Sequence, residues 1–420
     1  IVVFSRIGGE GFDLPRSMAT DFTMSSAVSG AASADSHYLQ LDANEQALLD
    51  HVKANFDRVI VVLNTGSTME INALKQDDGI DAILWMGFPG STGVMALGSI
   101  LTGETTPSGH TVDTWAVDFT KDPTWYNTGV YGSEFGNRYL YNGEKTDYAF
   151  VNYEEGIYVG YRYYETRGYE AAKTGNDGWY AQNVSYPFGY GLSYTTFDWD
   201  VKFDKADGSA IKADDTLGVT VTVKNTGSVA GKDVVQLYYS APYDYEGDAI
   251  EKAYVVLGDF VKTDLLQPGE SQEMKLSLKV SDMKSYDYAD ANKNGFAGYE
   301  LDAGSYQLFV SSDAHTPKAS ATYDLGEAVQ LATELNAQGE EVAVENRFDD
   351  VSAGIYGTNT YASYVTRKDF AGTLPQTYLA DDARTLTDTL MTALDESKKR
   401  KYTASDDGQP WQVTDGATQV

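Results

Sequence analysis

The chain has 420 residues, and its composition limits what the protein can be. It carries 31 Lys and Arg against 62 Asp and Glu, a formal net charge of −31, and no cysteine. At roughly 150 residues per domain, the length predicts two to three domains, each with its own core. A charge this negative repels phosphate backbones, so nucleic-acid binding would need a concentrated basic patch. The sequence shows one basic run, Lys398-Lys399-Arg400-Lys401. The lack of cysteine excludes disulfides, thiol nucleophiles and thiolate metal sites.

The ends and the aromatic content add three expectations. The sequence opens at Ile1 without an initiator Met or a basic leader, which indicates a fragment or a processed chain. No stretch approaches ~20 uninterrupted apolar residues, so no membrane-spanning helix is expected. Tyr accounts for 31 residues against 16 Phe and 6 Trp. Tyr-rich sequences suit β-rich folds and surfaces that contact sugars, although most of these residues are expected to fill half-exposed strand positions.

The first third of the sequence alternates strand and helix patterns. Short apolar runs predict buried strands at residues 1–5, 59–63 and 82–86. Helices are predicted at 44–56, around 70–75 and at 94–101; the first starts behind the potential caps Asp42 and Asn44 and should bury Leu48, Val52 and Phe56. This order predicts a parallel sheet covered by helices, a flavodoxin-like three-layer α/β sandwich at residues 1–113.

Three loops should lie together at one edge of that sheet. The first is Gly8-Gly9-Glu10-Gly11, the second is Asn64-Thr65-Gly66-Ser67, and the third is Gly87-Phe88-Pro89-Gly90. Each follows a predicted strand, and parallel sheets place their functional loops at the carboxyl ends of the strands. The sequence therefore predicts one functional rim built from these loops.

The middle of the chain changes to all-β patterns. Residues 114–196 are rich in Tyr and Gly, show few helical periods and are expected to form an ordered connector that completes the α/β domain. Alternating runs at Leu217–Lys224, Val234–Ser240, Glu273–Val280 and Tyr306–Ser311 predict a β-sandwich of immunoglobulin or fibronectin type III topology at 197–325. Residues 326–420 hold too little core for a further domain, and we expect a linker extension with one helix around Leu386, Leu390 and Leu394.

Glu10 is the leading candidate for chemistry. A carboxylate between glycines, just past a buried parallel strand, can project into a cleft where a general acid belongs. The alternative is a surface Glu in a glycine-rich turn. A dinucleotide loop is excluded, because the segment lacks the G-x-G-x-x-G pattern and an acidic side chain would repel a pyrophosphate.

Metal chemistry has little support in the sequence. Residues 290–295 read Asp-Ala-Asn-Lys-Asn-Gly and match the first half of a calcium loop, but Leu301 stands where the closing Glu should be. The segment also fits a polar insertion between two sandwich strands, which is the preferred interpretation. The four His residues show no zinc or triad spacing, so no metal and no cofactor are predicted.

Several sequence blocks together resemble glycoside hydrolase family 3, chiefly its β-glucosidases. The first block, Arg6-Ile7-Gly8-Gly9-Glu10-Gly11-Phe12-Asp13, matches the family pattern R-x-x-G-E-G-x-D. The others follow in family order over residues 1–325: Met86-Gly87-Phe88-Pro89-Gly90, Leu101-Thr102-Gly103, Pro107-Ser108-Gly109, Glu155 to Glu165, Pro187 to Tyr194, and Val229 to Tyr238.

The resemblance implies a retaining mechanism with two carboxyl groups. Glu10 matches the family's general acid/base, and Arg6 and Asp13 match positions that suggest substrate binding. The nucleophile would be an Asp on a separate (β/α)8 barrel. Its usual Ser-Asp-Trp setting is absent here, since Asp198-Trp199 lies at the start of the β-sandwich. The implied partners are a β-linked glucoside or oligosaccharide and a barrel domain or chain; oligomerisation stays open.

The sequence also departs from the family pattern. Leu14 replaces a usual basic residue, with Arg16 two places later. The resemblance also implies that much of the α/β domain is expected upstream of Ile1, outside this sequence. Residues 346–349 and 366–375 resemble the lead-in to the barrel in a branch where the barrel comes last, so a barrel is expected after Val420. Two alternatives stay open: a non-catalytic carbohydrate-binding or structural module, and a β-xylosidase or N-acetylglucosaminidase of the same family.

Overall fold

The structure, a computed structural model, describes residues 1–8, 18, 36–126, 137–151, 153–247, 250–288, 290–345, 364–376 and 385–399. Its α-helices are Ala43–Asn55, Asn72–Lys75, Gly90–Gly93, Met95–Leu101, Tyr161–Lys173, Trp179–Asn183, Phe370–Thr373 and Asp388–Lys399. None of the helices in these ranges is long and apolar enough to cross a membrane.

A three-stranded parallel sheet forms the first part of the chain. Its strands are Val2–Arg6, Ile60–Thr65 and Ala82–Trp85, and their spatial order equals their order in sequence. The core on one face contains Phe4, Leu63 and Trp115. The predicted parallel α/β sheet is therefore confirmed, with each strand within two residues of its expected bounds.

The first helix, Ala43–Asn55, begins at a capping box but packs with a different face from the one predicted. The Asp42 side chain accepts from the Glu45 backbone N–H, and Glu45 reaches back to the Asp42 N–H. Leu49 is buried, whereas Leu48 and Phe56 are exposed, so the prediction that Leu48 and Phe56 face the core is wrong. The adjacent Leu residues offer two apolar faces, and the packing of Glu45 against the sheet selects the one that carries Leu49.

The Tyr- and Gly-rich connector contains more helix than its sequence pattern indicates. Helix Tyr161–Lys173 buries Tyr163, Tyr164 and Glu165. A hairpin, Asn137–Tyr141 with Glu144–Phe150, precedes it, and strand Trp115–Ala116 pairs with Val184–Tyr186. Aromatic residues have modest helix propensity, so burial of Tyr163 and Tyr164 in a core with Val184 and Phe370 explains the formation of this helix.

The β-sandwich consists of two sheets around one apolar core. The three-stranded sheet contains, in spatial order, Ser271–Lys279, Thr216–Asn225 and Phe197–Phe203. The five-stranded sheet contains Val256–Lys262, Val234–Ser240, Gly304–Ser311, Pro317–Leu325 and Ser209–Ile211. Alternate residues such as Val219, Val221 and Val223 are buried between the sheets, which confirms the predicted sandwich.

Small sheets and a returning segment follow the sandwich. Ser285–Asp287, Gly298–Leu301 and Val329–Leu331 form one sheet, and Thr333–Leu335 pairs with Glu341–Ala343. Residues 364–376 then pack against the connector, where Val365 and Phe370 are buried beside Tyr158 and Tyr163. Part of the expected linker extension is therefore docked on the α/β region.

Candidate active site

The carboxyl ends of the three parallel strands lie at one edge of the sheet. Arg6 is in register with Thr65, and Leu63 is in register with Trp85. The loops that follow these strands therefore leave from the same rim, as the sequence predicts. Glu10 and Asp13 lie outside the described residues, so their predicted roles stay predictions.

Arg6 is buried at the base of the glycine-rich loop and uses all of its donors. Its Nε donates to the Tyr38 carbonyl (2.5 Å), and Nη1 donates to the Ser5 carbonyl (2.8 Å). Nη1 and Nη2 each donate to one oxygen of the Glu45 carboxylate, at 2.6 and 2.7 Å, and Nη2 also donates to the Gln40 carbonyl. A guanidinium has five N–H groups, and these five hydrogen bonds occupy them all.

This arrangement joins two segments that are distant in sequence. Arg6 lies at the end of the first strand and its partners Tyr38 and Gln40 are more than 30 residues later, so one side chain connects the two segments. The Ile7 N–H also donates to the Tyr38 hydroxyl (3.2 Å). Since no guanidinium N–H is left for a sugar hydroxyl, the geometry favours a positioning role for Arg6. Its direct contact with substrate stays a prediction.

The second and third loops contact each other across the rim. The Trp85 indole N–H donates to the Thr65 carbonyl (2.7 Å). The Phe88 ring lies so close to Gly66 that a Cβ there would sit 2.5 Å from Phe88 Cε2. Phe88 nevertheless keeps more than half of its surface exposed. An aromatic face is therefore presented to solvent at the same edge as the first loop.

A largely buried acid, Glu70, connects segments beside the rim; its side chain is 11% exposed. Glu70 accepts hydrogen bonds from His37 Nε2 (2.7 Å), the Phe119 backbone N–H (2.6 Å) and Gln40 Nε2 (3.0 Å). His37 Nδ1 accepts from the Leu39 N–H (3.3 Å), which places the imidazole proton on Nε2. Glu70 therefore ties His37 and Gln40 to the backbone at Phe119.

The loop that resembles half of a calcium site directs its oxygens toward the chain itself. Asp290 accepts from the Gly295 N–H, and Asn292 Oδ1 accepts from the Asn294 N–H. The amide groups of Asn292 and Asn294 donate to the buried Glu300 carboxylate. Among the described residues, no group of three or more His, Cys, Asp or Glu side chains is arranged to hold a metal ion.

Sequence reasoning identified the rim but not the residues that hold it. Glu45 was visible only as the third residue of a capping box, and Glu70 and His37 show no recognisable spacing. The capping signal D-x-x-E could have marked Glu45 as a helix-start residue. Nothing in the sequence indicates that it pairs with Arg6, because the two are 39 positions apart.

Two family models match the chain. The glycosyl hydrolase family 3 C-terminal domain covers residues 1–161, and the fibronectin type III-like domain covers residues 233–314. The first match contains the whole rim, and the second lies within the β-sandwich.

Known proteins with similar sequences carry β-glucosidase names. β-Glucosidase A of Butyrivibrio fibrisolvens is 36% identical over 346 residues, which is 78% of this chain and 38% of the relative. A β-glucosidase of Ruminococcus albus is 34% identical over 288 residues, or 69% of this chain and 26% of the relative. The structure of β-glucosidase 3B from Thermotoga neapolitana with α-D-glucose superposes with a TM-score of 0.57 at 31% identity, covering 81% of this chain and 38% of that one. The chain thus spans between a quarter and two fifths of these proteins.

Proposed function

Because the chain belongs to glycoside hydrolase family 3, we propose that it supplies the general acid/base of a retaining β-glycosidase, with Glu10 in that role. The observation that supports the proposal is the rim: the first parallel strand ends at Arg6, four residues before Glu10 in the sequence, and Arg6 is fixed there by its pair with Glu45. A carboxyl group held at such an edge can approach a substrate bound above the sheet.

In the proposed reaction, Glu10 acts twice. Its carboxylic acid first protonates the glycosidic oxygen as the leaving group departs, and its carboxylate then takes a proton from the water that releases the sugar. Retaining chemistry also needs an ionised nucleophile about 5–5.5 Å from the acid. We propose that this nucleophile is an Asp on a (β/α)8 barrel contributed by another segment or another chain.

The proposed substrate is a terminal, non-reducing β-D-glucosyl residue. The β-glucosidase names of the relatives support this choice. A β-xyloside or an N-acetylglucosaminide is the alternative, because the proposed barrel would contribute most of the subsite. Exposed Phe88 at the rim offers an apolar face on which a pyranose ring could stack, as aromatic side chains do in sugar sites.

Native purification with activity assays tests the proposal. Fractions that contain this chain should hydrolyse an aryl β-glucoside only when mass spectrometry also detects a barrel segment, either in a longer polypeptide or in a second one. In a reconstituted sample, Glu10→Gln should lower activity by about 10²–10⁴-fold toward an alkyl β-glucoside, whose leaving group needs protonation, and by much less toward an activated aryl β-glucoside. Full activity of the 45.9 kDa chain by itself would contradict the proposal that the nucleophile comes from another segment or chain.

A second candidate function is carbohydrate binding without catalysis. It is favoured by one observation, an aromatic-lined cleft between the connector helices and the sandwich. Sugar binding whose affinity is unchanged by substitution of Glu10 would support this function. Such binding is compatible with a catalytic role of Glu10.

A further inference from the structure

A cleft of about 320 Å³ lies between the α/β region and the β-sandwich. One wall comes from helices Tyr161–Lys173 and Trp179–Asn183, and the other comes from the ends of the five-stranded sheet. Hydrogen bonds join the walls, such as the one from the Tyr254 N–H to the Thr166 hydroxyl (2.8 Å). The cleft is therefore enclosed by two packed units and is separate from the rim loops.

The polar part of the cleft is a buried carboxylate. Glu165 has a side chain only 5% exposed, and it accepts hydrogen bonds from the Tyr180 hydroxyl and from His315 Nδ1 (2.9 Å). The Tyr180 and His315 rings stack with their centroids 3.6 Å apart. The three groups come from two helices and a sandwich turn, so their meeting depends on the assembled fold.

The charge of this group favours a neutral ligand. Burial raises the pKa of Glu165, and the hydrogen bond and charge of Glu165 raise the pKa of His315 although burial opposes the shift. These shifts favour retention of a proton in the contact between Glu165 and His315 Nδ1 (2.9 Å). The nearby charges are Asp313, which raises both pKa values, and Asp177 at the cleft wall.

The pair has unused hydrogen-bonding capacity. A carboxylate offers about four acceptor positions, and within the described part of the chain only two donors reach Glu165. Nε2 of His315, whose side chain is half exposed, has no hydrogen-bond partner among the same residues. A ligand with adjacent hydroxyl groups, each of which donates and accepts, matches this combination.

The remaining walls are aromatic. Tyr238, Tyr254 and Phe309 line the cleft beside the Glu165 group. Apolar walls with a few convergent polar groups are typical of small-molecule sites, and the volume is at the lower end of their range. We propose that this cleft binds one pyranose ring of a neutral carbohydrate, with Glu165 and His315 holding adjacent hydroxyls.

A purely structural contact between the two units would leave a different signature. A structural contact needs only the ion pair and the stacked rings. It does not need an open cavity beside a desolvated carboxylate. The two interpretations separate in a binding experiment, because blocking the cavity at its mouth leaves the Glu165 contacts intact. Ala172 is exposed on helix Tyr161–Lys173 and lines that mouth.

The test titrates the 420-residue chain with methyl β-D-glucopyranoside, followed by saturation-transfer NMR and calorimetry, with sorbitol as an acyclic polyol control. Binding in the millimolar range is expected for the pyranoside and none for sorbitol. Glu165→Gln should weaken binding at least tenfold, because the ligand hydroxyls lose a charged acceptor. Ala172→Trp should abolish it, and Ala172→Ser should leave it unchanged.

The outcomes separate this site from the rim. Binding that Ala172→Trp removes, and that Glu10→Gln leaves intact, supports the cleft whether or not Glu10 proves catalytic. Absence of pyranoside binding, equal binding of sorbitol, or binding that survives Ala172→Trp would overturn the proposal. If Glu165→Gln unfolds, as circular dichroism would reveal, the Ala172 pair still decides the question.

Discussion

Replacing Arg6 by Met should destabilise the α/β region strongly, because the change leaves a carboxylate without its partner. The Arg6 side chain is 6% exposed and that of Glu45 is 18% exposed. Removing one member of a buried ion pair costs about 3–5 kcal/mol, and the partial exposure of Glu45 places the expected loss near the lower end, at about 3 kcal/mol. Arg6→Lys should be intermediate, since an ammonium group cannot grip the carboxylate with two nitrogens.

The Arg58–Asp81 pair provides a matched control. Its N–O distance is 2.8 Å, close to that of the Arg6 pair, but the Arg58 side chain is 86% exposed. Arg58→Met should therefore cost less than about 1 kcal/mol. Urea unfolding followed by tryptophan fluorescence measures both changes, because Trp85 and Trp115 pack in and against the core of this region. Equal losses of stability for the two variants would refute the inference that Arg6 holds the end of the first strand to residues 38–45.

Two further predictions concern the contacts between units. Arg367→Met should release residues 364–376, because the buried guanidinium contacts four Tyr rings and donates to Glu170 (2.6 Å). We expect faster proteolysis of this segment while the sandwich stays intact. Unchanged cleavage would contradict the view that Arg367 holds the segment in place. The contact of His315 with Glu165 should weaken as pH rises above about 6.5, because the pKa of His315 is raised in the folded state and the stabilisation is lost as the imidazolium gives up its proton. The difference in melting temperature between wild type and His315→Gln should shrink from pH 6 to pH 9. A difference that grew with pH would contradict the predicted direction of the pH dependence.

Local pattern was enough to predict the sheet, the rim and the sandwich. Runs such as residues 59–63 are apolar and β-branched, and a strand buried on both faces needs that composition. The order of strands and helices then predicts the parallel pairing that places the loops after Arg6, Thr65 and Trp85 at one edge.

Features that depend on distant contacts were not predictable. The face of the first helix is selected by the pairing of Glu45 with Arg6, and the Ala47-Leu48-Leu49 stretch gives no local preference. Helix Tyr161–Lys173 forms in a segment whose aromatic content suggested otherwise, because its buried residues pack against Val184 and the distant Phe370. Both are cases in which tertiary packing outweighs local propensity.

The most direct test of the central claim compares leaving groups in the assembled enzyme. For Glu10→Gln, kcat/KM for an alkyl β-glucoside should fall by about 10²–10⁴-fold, because a poor leaving group needs the acid. The same variant should lose far less for a 2,4-dinitrophenyl β-glucoside, whose phenolate departs without protonation. Equal losses for both substrates, or no loss for the alkyl glucoside, would contradict the assignment of Glu10 as the general acid/base.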